Sequence, residues 1–162
     1  MNAAVNNLPL KLHMTRSGFT LIELMVTIAV LAIIVSIAAP GISTQLANQR
    51  VKSTAATLAN ALKEAKVESV IRRQEITLSY ANDSTKGGTI TIENGGSNPL
   101  TTYSYDAKTT IKSTDDEIKF QPNKTVTEMQ LTICDNANSV SPQQILVSAI
   151  GVITSKTGGT CE

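Results

Sequence analysis

The sequence predicts an α+β chain: a long N-terminal helix, apolar in its first half, followed by a β-rich domain of antiparallel hairpins. Three observations predict it. Phe19 to Ala39 are 21 residues with one ionisable side chain, Glu23. From Ile42 to Ala65 apolar residues recur at steps that suit a helix with one greasy stripe. Beyond Arg73 the composition turns to Thr, Ile, Val, Tyr, Asn and Gly, in short alternating runs parted by turn residues.

The apolar run comes first. At about 1.5 Å per residue it reaches roughly 31 Å, the thickness of a bilayer core. Besides Glu23, only Thr20, Thr27 and Ser36 interrupt it, and it has no polar face. A soluble core helix would have one, so membrane residence is expected. Lys11 and Arg16 precede the run and the next charge after Glu23 is Arg50, which places the N-terminus in the cytoplasm and the domain outside. A carboxylate within hydrocarbon costs about 2.5–3.5 kcal/mol on insertion scales, so Glu23 is expected to carry function; the plain alternative is that it snorkels to the headgroups.

Pro40 has no amide hydrogen and should kink or locally melt the helix. The helix then resumes with Ile42, Leu46, Val51, Ala55, Leu58, Leu62 and Ala65 as its apolar stripe. Lys63, Lys66, Arg72 and Arg73 crowd toward its end near Arg73, where cations complement the helix dipole.

Strands are expected around Ile76, Leu78 and Tyr80, around Ile90 and Ile92, and over Leu100–Tyr105, Thr109–Lys112 and Glu117–Phe120. Met129, Leu131 and Ile133 alternate up to Cys134, and Ile145–Ile150 and Val152–Thr154 flank Gly151. Such close spacing predicts an antiparallel meander. Tyr80, Tyr103 and Tyr105 are expected in the core or on a sheet surface.

Gly18-Phe19-Thr20-Leu21-Ile22-Glu23, followed by the apolar helix, resembles the processing and assembly motif of type IV prepilins and type II secretion pseudopilins. The resemblance implies cleavage after Gly18 by a prepilin peptidase and methylation of the new Phe19 amine. It implies that Glu23 neutralises the terminal amine of a neighbouring subunit, two charges tolerable in an apolar bundle only as a pair. Pro40 falls where the family often has a helix-breaking proline. The implied domains are a leader at 1–18, a transmembrane helix at 19–40, an amphipathic spine at 41–73 and a periplasmic or extracellular β-rich domain at 74–162. A start at Met14 would give the short leader Met14–Gly18 that pilin-like proteins commonly show.

Leu58–Ala65, Ile71-Arg72-Arg73, Ile76-Thr77-Leu78, Phe120-Gln121-Pro122 and Ile145–Ser148 up to Gly151 resemble the GspH/FimT branch of that family, the FimU- and FimT-like minor pilins. This implies a pilin-like fold, with the long helix packed on two antiparallel sheets.

Composition narrows the function classes. Lys and Arg number 14 against 13 Asp and Glu, so no global field draws nucleic acid. The single histidine, His13, lies before the expected cut, so the mature chain can build neither a Ser-His-Asp triad nor a Cys-His pair. No enzyme is expected, and no cofactor. Asp115-Asp116-Glu117 lacks the ligand spacing of a calcium loop and reads as a solvated turn; no metal is expected. Cys134 and Cys161 would lie in an oxidising compartment, where a bridge is expected to stabilise the fold by roughly 3–4 kcal/mol. The alternative is two buried free thiols.

The expected partners are other major and minor pilins through the N-terminal helix, the prepilin peptidase and the inner membrane. The expected location is the inner membrane, single-pass with N inside, then the pilus on the surface of a Gram-negative bacterium. The function expected is that of a structural minor pilin priming assembly near the tip, and so serving twitching, adhesion or DNA uptake. A minor pseudopilin of type II secretion is the first alternative. A DNA-binding minor pilin is the second. DNA-uptake pilins of this branch carry a Gly-Arg-any-Arg motif where this chain reads Gly151-Val152-Ile153-Thr154, which leaves Arg72, Arg73 and Lys156 as the cations for phosphate.

Overall fold

A computed structural model describes residues 18–95, 99–138 and 140–161, with the side chains at 38–40 excepted. The expectations placed on His13, Met14, the rest of the leader before Gly18 and the Pro40 side chain lie outside the described residues. The element order is α1 (Leu21–Arg72), β1 (Ile76–Ala81), β2 (Gly88–Asn94), β3 (Pro99–Tyr105), β4 (Thr109–Lys112), β5 (Glu117–Phe120), β6 (Met129–Asp135), β7 (Gln143–Val147) and β8 (Ile153–Thr157). The chain divides into two units between Ala39 and Pro40.

In the first unit every described side chain from Phe19 to Ile37 is exposed. No single described helix is long and apolar enough to cross a membrane.

In the second unit α1 packs on antiparallel sheets. Its buried stripe is Ala47, Val51, Thr54, Ala55, Leu58, Ala61, Leu62, Ala65 and Ser69. Ile42 and Leu46, expected on that stripe, are 62% and 53% exposed. Leu46 and Val51 are five residues apart, and five residues turn a helix about 140° past a common face. The two residues before that step therefore point elsewhere, and Ala47 opens the true stripe. The helix ends as expected, with Arg73 in the left-handed region (φ 53°) and the Gln74 amide returning to the Ser69 carbonyl.

The strands form two four-stranded sheets, ordered β3-β2-β1-β5 and β4-β6-β7-β8. Every pairing is antiparallel. The topology corrects the simple meander: β1-β2-β3 and β6-β7-β8 are meanders, but β4 joins the second sheet and β5 returns to β1 in the first. Alternation gives each sheet a greasy inner face. Leu78 lies between Ile92 and Ile118, Ile133 lies opposite Ile111, and Leu131 lies opposite Ile145. These residues, with Leu58, Leu62 and Phe120, are almost fully buried. Tyr105 is buried, while Tyr80 and Tyr103 are half-buried beside the core.

The last hairpin also departs from expectation. β7 stops at Val147 and β8 starts at Ile153, because Ser148–Val152 form a closed turn. There the Ser148 amide donates to the Val152 carbonyl at 3.0 Å, the Val152 amide donates to Ser148 Oγ at 3.0 Å, and Gly151 takes φ 68°.

One link between the sheets had no signal in the sequence. The Asn82 amide pairs with the Ile111 backbone as a peptide would: Nδ2 donates to the Ile111 carbonyl and Oδ1 accepts the Ile111 amide, both at 2.9 Å. Tyr105 Oη donates to the same Oδ1 at 2.6 Å. The end of β1 is thereby tied to β4 in the other sheet.

Candidate assembly and processing site

The N-terminal motif is built around a helix cap. Thr20 precedes the first helical residue, and its Oγ1 accepts the Glu23 amide at 3.2 Å. Its carbonyl accepts the Leu24 amide, also at 3.2 Å. Threonine three residues ahead of glutamate is a capping signature, and Glu23 supplies the negative charge favoured in a first turn. The same Thr-x-x-Glu spacing stands in the sequence at Thr20 and Glu23.

Gly18 and Phe19 stand outside the helix, with Phe19 82% exposed. A Cβ built on Gly18 would meet nothing within 4 Å, so the fold places no steric demand for glycine there. Along the helix Thr27 Oγ1 donates to the Leu24 carbonyl and Ser36 Oγ to the Ile33 carbonyl, each at 2.8 Å. These hydroxyls are satisfied within their own helix, so the side of the rod stays apolar apart from Glu23.

Cys134 and Cys161 are joined by a disulfide. The bridge fixes the segment after β8 against the outer face of the second sheet. The Gly158 amide donates to the Pro142 carbonyl and Lys112 Nζ to the Cys161 carbonyl, both at 2.9 Å. Gly159, at φ 107°, passes so close to Thr132 and Gln144 that a Cβ would lie 3.0–3.1 Å from them. These polar residues are therefore 6% and 4% exposed on a sheet face that would otherwise be wet.

The cations considered for nucleic acid lie on different elements. Arg72 is paired with Glu68 one turn earlier. Arg73 follows the helix, while Lys156 stands on β8 opposite Gln144.

Other polar groups serve the fold. Glu64 on α1 accepts hydrogen bonds from the hydroxyls of Thr101 (2.8 Å) and Tyr103 on β3. That bond to Glu64, followed by desolvation, raises the Tyr103 pKa. Burial, followed by the neighbouring Tyr80, pushes Tyr105 up to about 12. Arg50 lies 3.8 Å from Asp106 and 3.7 Å from the buried Asp135, and its Nε is buried without a hydrogen bond. No group of three His, Cys, Asp or Glu able to hold a metal occurs among the described residues.

Two family matches cover most of the chain. The prokaryotic N-terminal methylation motif matches residues 13–39, and the family described as type II transport protein GspH matches residues 54–151. Curated protein sequences give no match. Among solved structures, the type IV minor pilin FimU of Pseudomonas aeruginosa is similar at 25% identity and a TM-score of 0.60. That likeness covers 71% of this chain and 97% of FimU. A second crystal form of FimU covers 68% of this chain and 99% of that one, with a TM-score of 0.58. The minor pseudopilin EpsH of the Vibrio cholerae type 2 secretion system shares the fold at 11% identity and a TM-score of 0.53, covering 67% of this chain and 97% of EpsH. A capped apolar rod behind a glycine, a spine on two antiparallel sheets and a GspH match over more than half the sequence place this chain in the GspH/FimT family of minor pilins and pseudopilins.

Proposed function

We propose that the chain is a structural minor pilin of a type IV pilus, made as a precursor and stored in the inner membrane with its N-terminus inside. A prepilin peptidase removes residues 1–18 and methylates the Phe19 amine. The helix over 19–40 holds the subunit in the bilayer until assembly, with Pro40 loosening it ahead of the spine at 41–73. On assembly, lipid contacts give way to helix packing, and Glu23 pairs with the Phe19 amine of a neighbour and sets the register. The subunit then primes growth near the tip and serves twitching, adhesion or DNA uptake through the fibre.

The observation carrying this reading is the first unit of the chain. Its apolar side chains from Leu21 to Ile37 are all exposed, and its hydroxyls bond to its own helix. Such a surface needs lipid or other helices around it. The likeness to FimU supports the pilus rather than a secretion fibre. The second reading, a minor pseudopilin, is favoured by the GspH match. Direct binding of DNA lacks the Gly-Arg-any-Arg motif, since the chain reads Gly151-Val152-Ile153-Thr154.

The test is co-purification with sheared pili, from wild-type cells and from cells lacking the prepilin peptidase. The mature chain should appear in the sheared fraction of the first and only uncut precursor in the membranes of the second. A mature chain that retains residues 14–18, or that stays in the membrane while pili grow, refutes the reading.

A further inference from the structure

Asparagine followed by glycine is a reactive pair as well as a turn signal, and the sequence holds it once, at Asn94-Gly95. Every other asparagine precedes a residue that bears a side chain. Asn94 is the last residue of β2 and is held on one side only. It lies opposite Ile76 of β1, but the pairing with β3 ends at Glu93, opposite Pro99. Pro99 has no amide hydrogen to give, and that ladder shifts register between Ile92 and Glu93. The Asn94 side chain is half-buried and takes no hydrogen bond among the described residues. Gly95 is exposed, and a Cβ built on it would meet nothing within 4 Å.

Other asparagines are tied down. Asn82 pairs with the Ile111 backbone through both ends of its amide. Asn123 Oδ1 accepts the Thr125 amide at 3.0 Å and the Thr125 hydroxyl at 2.6 Å. Asn136 Nδ2 donates to the Ala107 carbonyl at 3.0 Å. Asn48 and Asn60 sit inside α1, whose main-chain amides donate to carbonyls one turn back.

We propose that Asn94-Gly95 is a site of spontaneous covalent modification, at which Asn94 becomes aspartate and isoaspartate with water as the only co-reactant. The Gly95 amide nitrogen gives its proton to hydroxide or a buffer base and attacks Asn94 Cγ. The new N–Cγ bond closes a five-membered imide, the Cγ–Nδ2 bond breaks, and Nδ2 takes up a proton and leaves as ammonia. Water then opens the ring. Attack at Cγ restores the ordinary main chain and leaves aspartate. Attack at the Asn94 main-chain carbonyl carbon leaves the chain running through Cβ and Cγ, as isoaspartate. Nothing is oxidised or reduced.

Glycine serves this chemistry twice. It puts no side chain in the path of the attacking nitrogen, and it permits main-chain angles that other residues resist. The strand end contributes as much, since a residue paired on both sides is held extended while a ladder end opens locally at little cost. Either product sets a new carboxylate next to Glu93, and isoaspartate adds one main-chain carbon where β2 ends. Ammonia is lost, so the step runs one way and the converted fraction records the age of the chain. None of this depends on the filament reading.

The test holds the full chain in detergent at about pH 8 and about 37 °C in oxygen-18 water, beside a sample unfolded in urea. Trypsin in ordinary water then releases Gly87–Lys108. Fragmentation separates Asn94 from Asn98, whose following proline has no amide to attack. Asn94 should turn into both acids, each carrying oxygen-18, at a rate within about tenfold of the urea sample. In the folded sample it should react at least about tenfold faster than Asn82, Asn123 or Asn136. Gly95→Ala should slow it at least about tenfold and leave the melting curve unchanged, since the added methyl meets nothing. A folded rate more than about tenfold below the urea sample means that the ladder holds Asn94, and it overturns the proposal. So does aspartate without isoaspartate, or a rate that ignores Gly95→Ala, since either shows that no ring forms. A faster reaction at any other asparagine of the folded chain overturns it as well.

Discussion

Replacing Cys161 by serine should lower the melting temperature of the oxidised chain by about 14 °C. The bridge spans a sequence separation of 27. In the chain-entropy model a loop of that size costs the unfolded chain about 3.6 kcal/mol of freedom. Residues 41–162 should unfold with about 0.26 kcal/mol per kelvin of entropy, and the ratio gives the shift. Releasing the segment after β8 also rewets Thr132 and Gln144, so the figure is a lower expectation. The assay is thermal unfolding of the full chain in detergent, followed by the β-sheet circular dichroism signal, with and without a phosphine reductant. Reductant should lower the parent by the same amount and leave Cys161→Ser unmoved. A drop below about 4 °C, or a further drop of Cys161→Ser on reduction, refutes the reasoning. Cys134→Ser should cost more, because Cys134 is 2% exposed and a hydroxyl there is buried.

Gly18→Ala should accumulate uncut precursor with an unchanged melting curve, since the added methyl meets nothing; normal processing on an immunoblot contradicts the site. Glu23→Ala should keep the chain in the membrane and reduce its share of sheared pili severalfold; equal incorporation removes the pairing with the Phe19 amine. Asn82→Ala strands the buried Ile111 amide and carbonyl and should cost about 2–3 kcal/mol, read from urea midpoints. Stability should also fall between pH 10 and about 12. Tyr105 stays protonated there in the folded chain while the unfolded phenol ionises, so the contribution is full below pH 10 and is lost as pH rises through about 12. Phenolate absorbance of the folded chain should show all three tyrosines titrating above their ordinary value, with Tyr105 last, and a midpoint near 10 for all three contradicts it.

The helix and most strands were legible because each rests on a local period. Leu58, Leu62 and Ala65 repeat at helical spacing, and Met129, Leu131 and Ile133 alternate, so burial follows from the residues themselves. The stripe failed only where the spacing was stretched, between Leu46 and Val51. Strand partners were not legible. That β5 leaves its neighbours to pair with β1, and that β4 changes sheet, depends on contacts such as Asn82 with Ile111, which no local pattern encodes. The candidate site divides the same way. Gly18, Phe19 and Glu23 are a short linear motif and stand out in the sequence, whereas the bonds from Lys66 to the Ile150 and Gly151 carbonyls join residues far apart in the chain.

Thr20 bears on the proposed scission after Gly18. A protease must thread its substrate through a narrow cleft as unwound main chain, and a coiled peptide bond does not fit. By stopping the coil at its own position, Thr20 leaves the bond between Gly18 and Phe19 uncoiled, one residue upstream of it. The same threonine would remain on the product of the proposed cut, so trimming there need not unravel the rod.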